Sequence, residues 1–331
     1  MADIKAFGGR VIENLEKVIV GKRKSIELIV IGLLCQGHVL IEDVPGVGKT
    51  MLASRLPSIL PDLAEDEAVE VSAIHSLAGR ELTGLIVRPP YSDPHHSATP
   101  AALVGGGTAE LKPGAISLAH RGVLFLDECP DFGSKLDALR TPLEDGTITV
   151  SRARHSTRFP ARFQLVMAAN PCPCGNFGVA GLECRCDPTR VRRYQERLSG
   201  PILDRIDIKH QMAAVNRVLL DVAANPSESS ATVLGRVVEA RDRQRRRLAG
   251  TPWATNGEVP GSYLRQQLSL PEDLGVLNTA LQRGLISARG VDKVIRLAWT
   301  LTDLAGLDVI GERELRAALH LRQGEQRRGA A

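Results

Sequence analysis

Aromatic side chains are scarce, 3% of the chain: six Phe, three Tyr and two Trp. A surface that grips nucleic acid mainly by stacking bases on rings needs more, so that device is excluded as the principal one. Neither sign of charge dominates. Against 38 acidic residues stand 42 basic ones, a net charge of +4, too mild to announce a polyanionic partner by itself. Long apolar runs are missing as well. The best, Leu28 to Cys35, is eight residues bracketed by Glu27 and Gln36, where a bilayer span needs about 20. Met1-Ala2-Asp3-Ile4-Lys5 carries no basic region followed by an apolar stretch, so neither a secretory signal nor a membrane contact is expected. Six cysteines in 331 residues do not make a disulfide scaffold, and no internal repeat is found. What remains is a chain 43% hydrophobic and 24% charged, able to bury a sizeable core. A cytoplasmic protein of one large domain, or a large plus a small one, is expected.

Helical patterning over residues 11 to 35 ends at Gln36-Gly37. His38-Val39-Leu40-Ile41-Glu42 then reads as a buried strand, and residues 51 to 60 resume a helix before Pro61. Between strand and helix lies Asp43-Val44-Pro45-Gly46-Val47-Gly48-Lys49-Thr50. This octet matches the phosphate-binding loop G-x-x-x-x-G-K-[ST] except that Asp43 replaces the first glycine. Asp tolerates positive φ better than most residues, which softens the departure. Such a loop points successive N–H groups at an anion held on a helix N-terminus. Lys49 would reach the β- and γ-phosphates, and the Thr50 hydroxyl would ligate Mg²⁺. Read alone, the octet also fits a chance Gly-rich turn.

Two further buried strands follow, Gly122 to Leu126, stopped by Asp127-Glu128, and Phe163 to Ala169, stopped by Asn170-Pro171. Apolar runs on both faces suit central strands of a parallel sheet covered by helices. Ligands in such sheets bind at the carboxyl ends of the strands. There Asp127 would hold the Mg²⁺ shell and Glu128 would orient or activate the attacking water. Asn170 stands where a polar side chain can hold that water or the γ-phosphate, though a plain strand cap explains it too. Together these signals read as ATP or GTP hydrolysis. Asp145-Gly146, then Thr147 to Val150 and the Arg-rich residues 152 to 158, read as a hairpin inserted before the third strand. By pattern alone, Arg205 and Arg289 are no more than salt-bridged surface residues. Composition shifts near residue 214, and helix candidates run 231–249, 271–285, 291–305 and 311–322. The layout predicted is an α/β nucleotide-binding core over residues 1–215, a linker over 216–230 and a helical lid domain over 231–331.

The phosphate-binding octet, the Val123–Glu128 strand end, Asn170, Leu203-Asp204-Arg205 and the helical tail resemble the AAA+ ATPases. More narrowly, several runs resemble the magnesium-chelatase-like ComM/YifB group: Pro89 to His96, Leu103 to Gly107, Pro113 to His120, Asn170 to Gly175 and Leu198 to Pro201. The resemblance covers roughly 45 to 320. It implies a P-loop AAA+ core with hairpin insertions and a helical lid, ATP and Mg²⁺ as cofactors, and a hexameric ring. It also implies a DNA partner, of the branch-migration helicase kind. Carried over by position, Asn170 becomes sensor 1, Arg205 the arginine finger that completes a neighbour's site, and Arg289 the lid's sensor 2. The hairpin near 147–158 becomes the insertion directed at the ring pore. That group carries a Lon-protease-like domain ahead of its ATPase, and these 331 residues hold none, which leads us to expect a separate protein in its place. The first fifty residues instead resemble MoxR-type AAA+ proteins, through Val18 to Gly21 and Gly37 to Thr50. A chaperone acting on proteins or assisting metal insertion is therefore the alternative, and a non-motor nucleotide-dependent scaffold a third.

Four cysteines crowd together as Cys172-x-Cys174 and Cys184-x-Cys186. Four thiolates suit tetrahedral Zn²⁺, and i, i+2 places each pair on one side of an extended chain. Structural zinc leads; free thiols and a redox disulfide stay open. His95 and His96, between Pro94 and Ser97, read as part of a structured loop before they read as metal ligands. Arg152, Arg154 and Arg158 on the hairpin are candidates for sequence-independent phosphate contact. The run Arg241 to Arg247 reads first as a solvated face with ion pairs between subunits.

Overall fold

The computed structural model describes residues 30–42, 53–107, 110–152, 155–178, 182–211 and 230–324, apart from 267, 269, 272 and 273. The octet 43–50, the helical pattern before residue 30 and the linker 216–229 therefore lie outside the described residues. The strands, in chain order, are β1 (Val39–Glu42), β2 (Tyr91–Ser92), β3 (Gly105–Gly106), β4 (Lys112–Pro113), β5 (Val123–Leu126), β6 (Thr147–Arg152), β7 (His155–Pro160), β8 (Gln164–Ala169) and β9 (Ile208–Gln211). The chain is mixed α/β, with parallel strands and helices and a helical C-terminal stretch, as the sequence predicts. It divides into two compact units, one running from Asp43 to Arg205, the other joining the residues up to Glu42 with those from Ile206 onward.

In the Asp43–Arg205 unit, β2 pairs with β5 and β5 with β8, all parallel. Every residue of β5 and β8 is buried, as a strand covered on both faces must be. Close approach is built in at Gly122. A Cβ there would stand 1.9 Å from the Pro90 carbonyl oxygen, the same oxygen that accepts from the Val123 N–H at 2.9 Å. The β6–β7 hairpin is antiparallel, with Arg152 opposite His155 at its tip. Ile148, Val150 and Phe159 are buried on one face and Ser151, Ser156 and Arg158 lie exposed on the other, the period of two that a half-buried ribbon shows. A helix over Glu65–Leu77, which the sequence reading does not place, is pinned from its own side chains. Glu70 accepts from His120 at 2.9 Å, Glu67 pairs with Arg121 at 3.0 Å, and His75 Nε2 meets the Leu118 carbonyl oxygen at 3.1 Å.

In the other unit, β1 and β9 form a parallel pair, and helices Ser230–Arg247, Ala288–Ala305 and Glu312–Gln323 bury Val237, Val294, Leu297, Trp299 and Leu315 among others. Its polar centre is Asp207. This carboxylate accepts from the His38 N–H at 2.7 Å and from Lys293 Nζ at 2.8 Å, joining the strand pair to helix Ala288–Ala305. Arg247 stacks on Trp299, 4.2 Å from the ring centroid, and its Nη2 donates to Asp303 Oδ2 at 2.7 Å. Arg241 donates to the Leu33 carbonyl at 3.0 Å and Arg243 to that of Asp303 at 2.7 Å. Three arginines of the 241–247 run are thus internal ties, not a solvated face, because a guanidinium can cap buried carbonyls while its stem fills apolar space.

Asp207 generates a stability prediction. Burial pushes its carboxyl up, but the Lys293 ammonium and the His38 N–H outweigh that and hold it below its ordinary 3.8. A carboxyl lowered on folding contributes stability above that value and loses it as pH falls further. Asp207→Ala strands a buried ammonium and should cost about 3–5 kcal/mol in urea unfolding at pH 7. Asp207→Asn should flatten the acid limb of the stability curve below about pH 4.

Candidate nucleotide site

Because β5 and β8 are parallel neighbours with Leu126 opposite Met167, the residues that follow them leave the sheet at the same edge, about 5 Å apart laterally. Asp127 and Glu128 leave β5 there, and Asn170 leaves β8. The structure therefore brings together three of the predicted site residues. Asp127 and Asn170 are half-buried and Glu128 is exposed. Glu128 adopts φ 48° and ψ 43°, a left-handed conformation that costs a non-glycine residue about 1–2 kcal/mol. Its N–H donates to Asp127 Oδ1 at 2.9 Å, so the two carboxylates splay from one tight turn. The Asn170 N–H bonds the Tyr194 phenol, whose pKa burial, then the Asp131 carboxylate, pushes well above 10. Beside them, Tyr91 stacks on Phe125 with centroids 6.4 Å apart. Its buried hydroxyl has no hydrogen-bond partner among the described residues. Burial, then Asp93 and Asp127, raise that phenol as well.

One contact was not legible in the sequence. His96 Nδ1 lies 3.1 Å from Glu128 Oε2, tying the presumed loop histidine to the carboxylate assigned the attacking water. The His96 ring packs on His95 at 4.1 Å between centroids, and Lys135 Nζ holds the loop by donating to the carbonyls of His96 and, at 3.0 Å, Ala98. Only the density of Pro, His and Ser around residues 94–97 hinted at an ordered turn; the partner, 32 positions on, left no local signal.

Arg205 closes the short helix Gly200–Arg205. It is 9% exposed, with Nη2 2.6 Å from Glu144 Oε1 and Nη1 donating to the Pro201 carbonyl at 2.6 Å. Arg289 lies in the other unit, exposed in the first turn of helix Ala288–Ala305. Ser287 caps that helix, its Oγ accepting from the Gly290 N–H at 3.1 Å. The oxygen donors at the β5 edge suit a hard cation: Mg²⁺ is bound through one or two carboxylates and nucleotide phosphates, and Asp127 is such a carboxylate.

Over residues 15–220 the sequence matches the family described as magnesium chelatase, subunit ChlI, and over 227–322 the C-terminal family of that subunit. The chain belongs to the magnesium chelatase ChlI family. Its likeness to the ComM/YifB group runs over most of its length. An uncharacterized protein of Mycobacterium tuberculosis is 47% identical over 316 residues, 94% of this chain and 62% of that one. YifB of Escherichia coli is 42% identical over 308 residues, 91% and 58%. The competence protein ComM of Haemophilus influenzae is 40% identical over 319 residues, 96% and 61%. The chain thus spans about 60% of the length of these relatives. No helix among the described residues is long and apolar enough to cross a membrane.

The His96–Glu128 contact predicts a kinetic effect. With Glu128 freed from its partner, His96→Ala should lower kcat for ATP about 10- to 100-fold, the scale set by misplacing one reacting group, with KM little changed. A steady-state rate at or above wild type would instead mean that His96 restrains Glu128.

Proposed function

We propose that this chain is the Mg²⁺-dependent ATP-hydrolysing part of a ring-forming AAA+ motor acting on DNA. The observation that carries it is the shared edge of β5 and β8, where Asp127, Glu128 and Asn170 emerge from two fully buried parallel strands. Asp43, Val44, Pro45, Gly46, Val47, Gly48 and Lys49 cradle the phosphates, while Thr50 and Asp127 hold Mg²⁺. When bound, that cation neutralises charge on the phosphate oxygens. Glu128, steadied by His96, takes or orients the proton of the attacking water, and Asn170 fixes the water's position. Arg289 adds a guanidinium to the N-terminal end of an 18-residue helix, an arrangement that favours an anionic phosphate.

Arg205 completes the site of a neighbouring subunit in this reading, exchanging its Glu144 partner for the terminal phosphate. DNA as the substrate draws support from the competence-protein relative and from the hairpin, whose exposed face carries Arg158. Arg158 Nε donates to Thr147 Oγ1 at 2.8 Å, so its guanidinium is held on the ribbon surface. Arg154 lies outside the described residues.

Steady-state ATPase with and without single-stranded and branched DNA tests the proposal. Marked stimulation by DNA is expected. Arg205→Ala should abolish it, since a finger supplied from outside a site is worth about 10³ to 10⁵ in rate. Glu128→Gln should bind ATP and assemble without turnover. Hydrolysis indifferent to DNA would overturn the DNA reading and move the substrate to a protein, and Lys49→Ala with full function would leave only a scaffold. Replacing Arg152, Arg154 and Arg158 together by Ala should weaken DNA binding for all sequences and shallow its salt dependence.

A further inference from the structure

The cysteine cluster plays no part in the nucleotide chemistry, yet its geometry is that of a built site. Sγ of Cys172 lies 3.3 Å from that of Cys174 and 3.8 Å from that of Cys184, and Cys174 to Cys184 is 3.7 Å. With Cys186 included, all four sulfurs lie within 4.8 Å of one another. Zinc–sulfur bonds of about 2.3 Å arranged as a tetrahedron give sulfur–sulfur edges of about 3.8 Å. A pair of disulfides would instead show two contacts near 2.05 Å and the rest longer. Here the three distances among Cys172, Cys174 and Cys184 fall between 3.3 and 3.8 Å, and no cysteine is bonded to another.

The backbone around the sulfurs is arranged for negative charge. Phe177 N–H donates to Cys172 Sγ at 3.4 Å. The N–H groups of Asn176 and Arg185 face the Cys174 sulfur, and that of Cys186 faces Cys184. Gly175, at φ 82°, makes the first of these possible. The chain must reverse there through a left-handed residue, which Gly adopts without strain, and its N–H closes the turn on the Cys172 carbonyl at 2.9 Å. N–H groups aimed at thiolates are the outer partners that orient and tune metal ligands.

We propose that Cys172, Cys174, Cys184 and Cys186 form a structural zinc site. Four thiolates in a tetrahedron select zinc or iron. Cys174 is exposed and Cys184 and Cys186 half-exposed, which favours a redox-inert ion that water and oxygen leave alone. A four-ligand site with no open position is structural, not catalytic. Its place in the chain says what it holds. Cys172 stands two residues after Asn170, and Cys186 directly precedes Asp187, whose Oδ1 accepts from the Thr189 N–H at 2.8 Å to cap helix Pro188–Gln195. That helix returns to the same bend, Gln195 Nε2 donating to the Pro171 carbonyl at 3.0 Å. The metal therefore closes a loop whose two ends are Asn170 and the helices leading to Arg205. The consequence for Asn170 rests on the proposed nucleotide site; the metal itself does not.

The test uses the full chain purified under reducing conditions from zinc-supplemented cells, with no nucleotide present. Elemental analysis should find about one zinc per chain and no stoichiometric iron. Titration with a mercurial should release that zinc as four thiols react. Cobalt exchanged into the wild-type protein should give the intense visible bands of a tetrahedral tetrathiolate. Cys184→Ser should lose the metal, while Cys35→Ser and Cys129→Ser keep it. If Cys184→Ser fails to fold, the cobalt spectrum of the wild type decides. Metal removal should lower Tm by on the order of 5 °C or more. Iron in place of zinc, a disulfide among the four, or a chain that neither contains nor takes up zinc or cobalt would overturn the proposal. ATPase measured afterwards on the stripped and reloaded chain separates the two readings. Zinc present with no nucleotide turnover would sink the ATPase proposal and leave the metal site standing.

Discussion

Two strands buried on both faces set the terms for all else at the candidate site. Val123–Leu126 and Gln164–Ala169 are flanked so closely that a charge among them would sit desolvated and unpaired. Chemistry can begin only where the chain leaves the sheet. The parallel register then decides that both exits fall at one edge. Asp127, Glu128 and Asn170 meet because their strands run the same way, not because any of them attracts the others. The apolar core supplies the stability, and the edge receives the polar groups that the core excludes. The left-handed turn at Glu128 is strain of the kind such edges accommodate, here offset by the Asp127 and His96 contacts on either side of it.

The second unit solves a different problem. Its strand pair is short, and β9 reads Ile208-Lys209-His210-Gln211, with one apolar residue in four. Hydrophobic pattern alone would not hold such a strand in register. Asp207, at its threshold, does so by charge: it bonds the His38 backbone across the pair and the Lys293 ammonium from helix Ala288–Ala305. A buried ion pair is weak evidence for net stability, because desolvation offsets most of the attraction. It is better evidence for uniqueness, since any other register would leave one of the two charges stranded.

These two solutions explain what was legible. β5 and β8 were plain in the sequence because continuous apolar runs ending in acids or Asn-Pro have few other readings. The hairpin was plain because Asp-Gly and a β-branched alternation act locally. Four cysteines in fifteen residues declared themselves by spacing. β9 escaped because its placement depends on a carboxylate bonded to residues 169 positions earlier and 86 later. The helix Glu65–Leu77 escaped because its buried face, Ala68, Val71, Ser72 and His75, keeps the helical spacing but is too small and polar to stand out as an apolar stripe, and because Glu70 and His120 fix it through a pair 50 residues apart. His96 was visible as a residue and invisible as a partner. Local pattern reads strands, turns and clusters; it does not read a contact whose two halves obey separate local rules.

Arg205 shows how a predicted role and an observed contact are reconciled by energetics. The guanidinium is nearly enclosed and paired with Glu144 at 2.6 Å. A surface ion pair of that kind would be worth little and would exchange freely. Here only one partner is enclosed: Glu144 remains about 40% exposed. Releasing Glu144 to water is therefore cheap, whereas leaving Arg205 without an anion is not. The arginine can give up its carboxylate only for a group carrying at least as much negative charge and able to accept from its planar fork, and a terminal phosphate does both. On the proposed reading, the pair with Glu144 holds the finger in a defined conformation until a neighbour's nucleotide offers the stronger acceptor, so that assembly and hydrolysis are coupled through one exchange of partners.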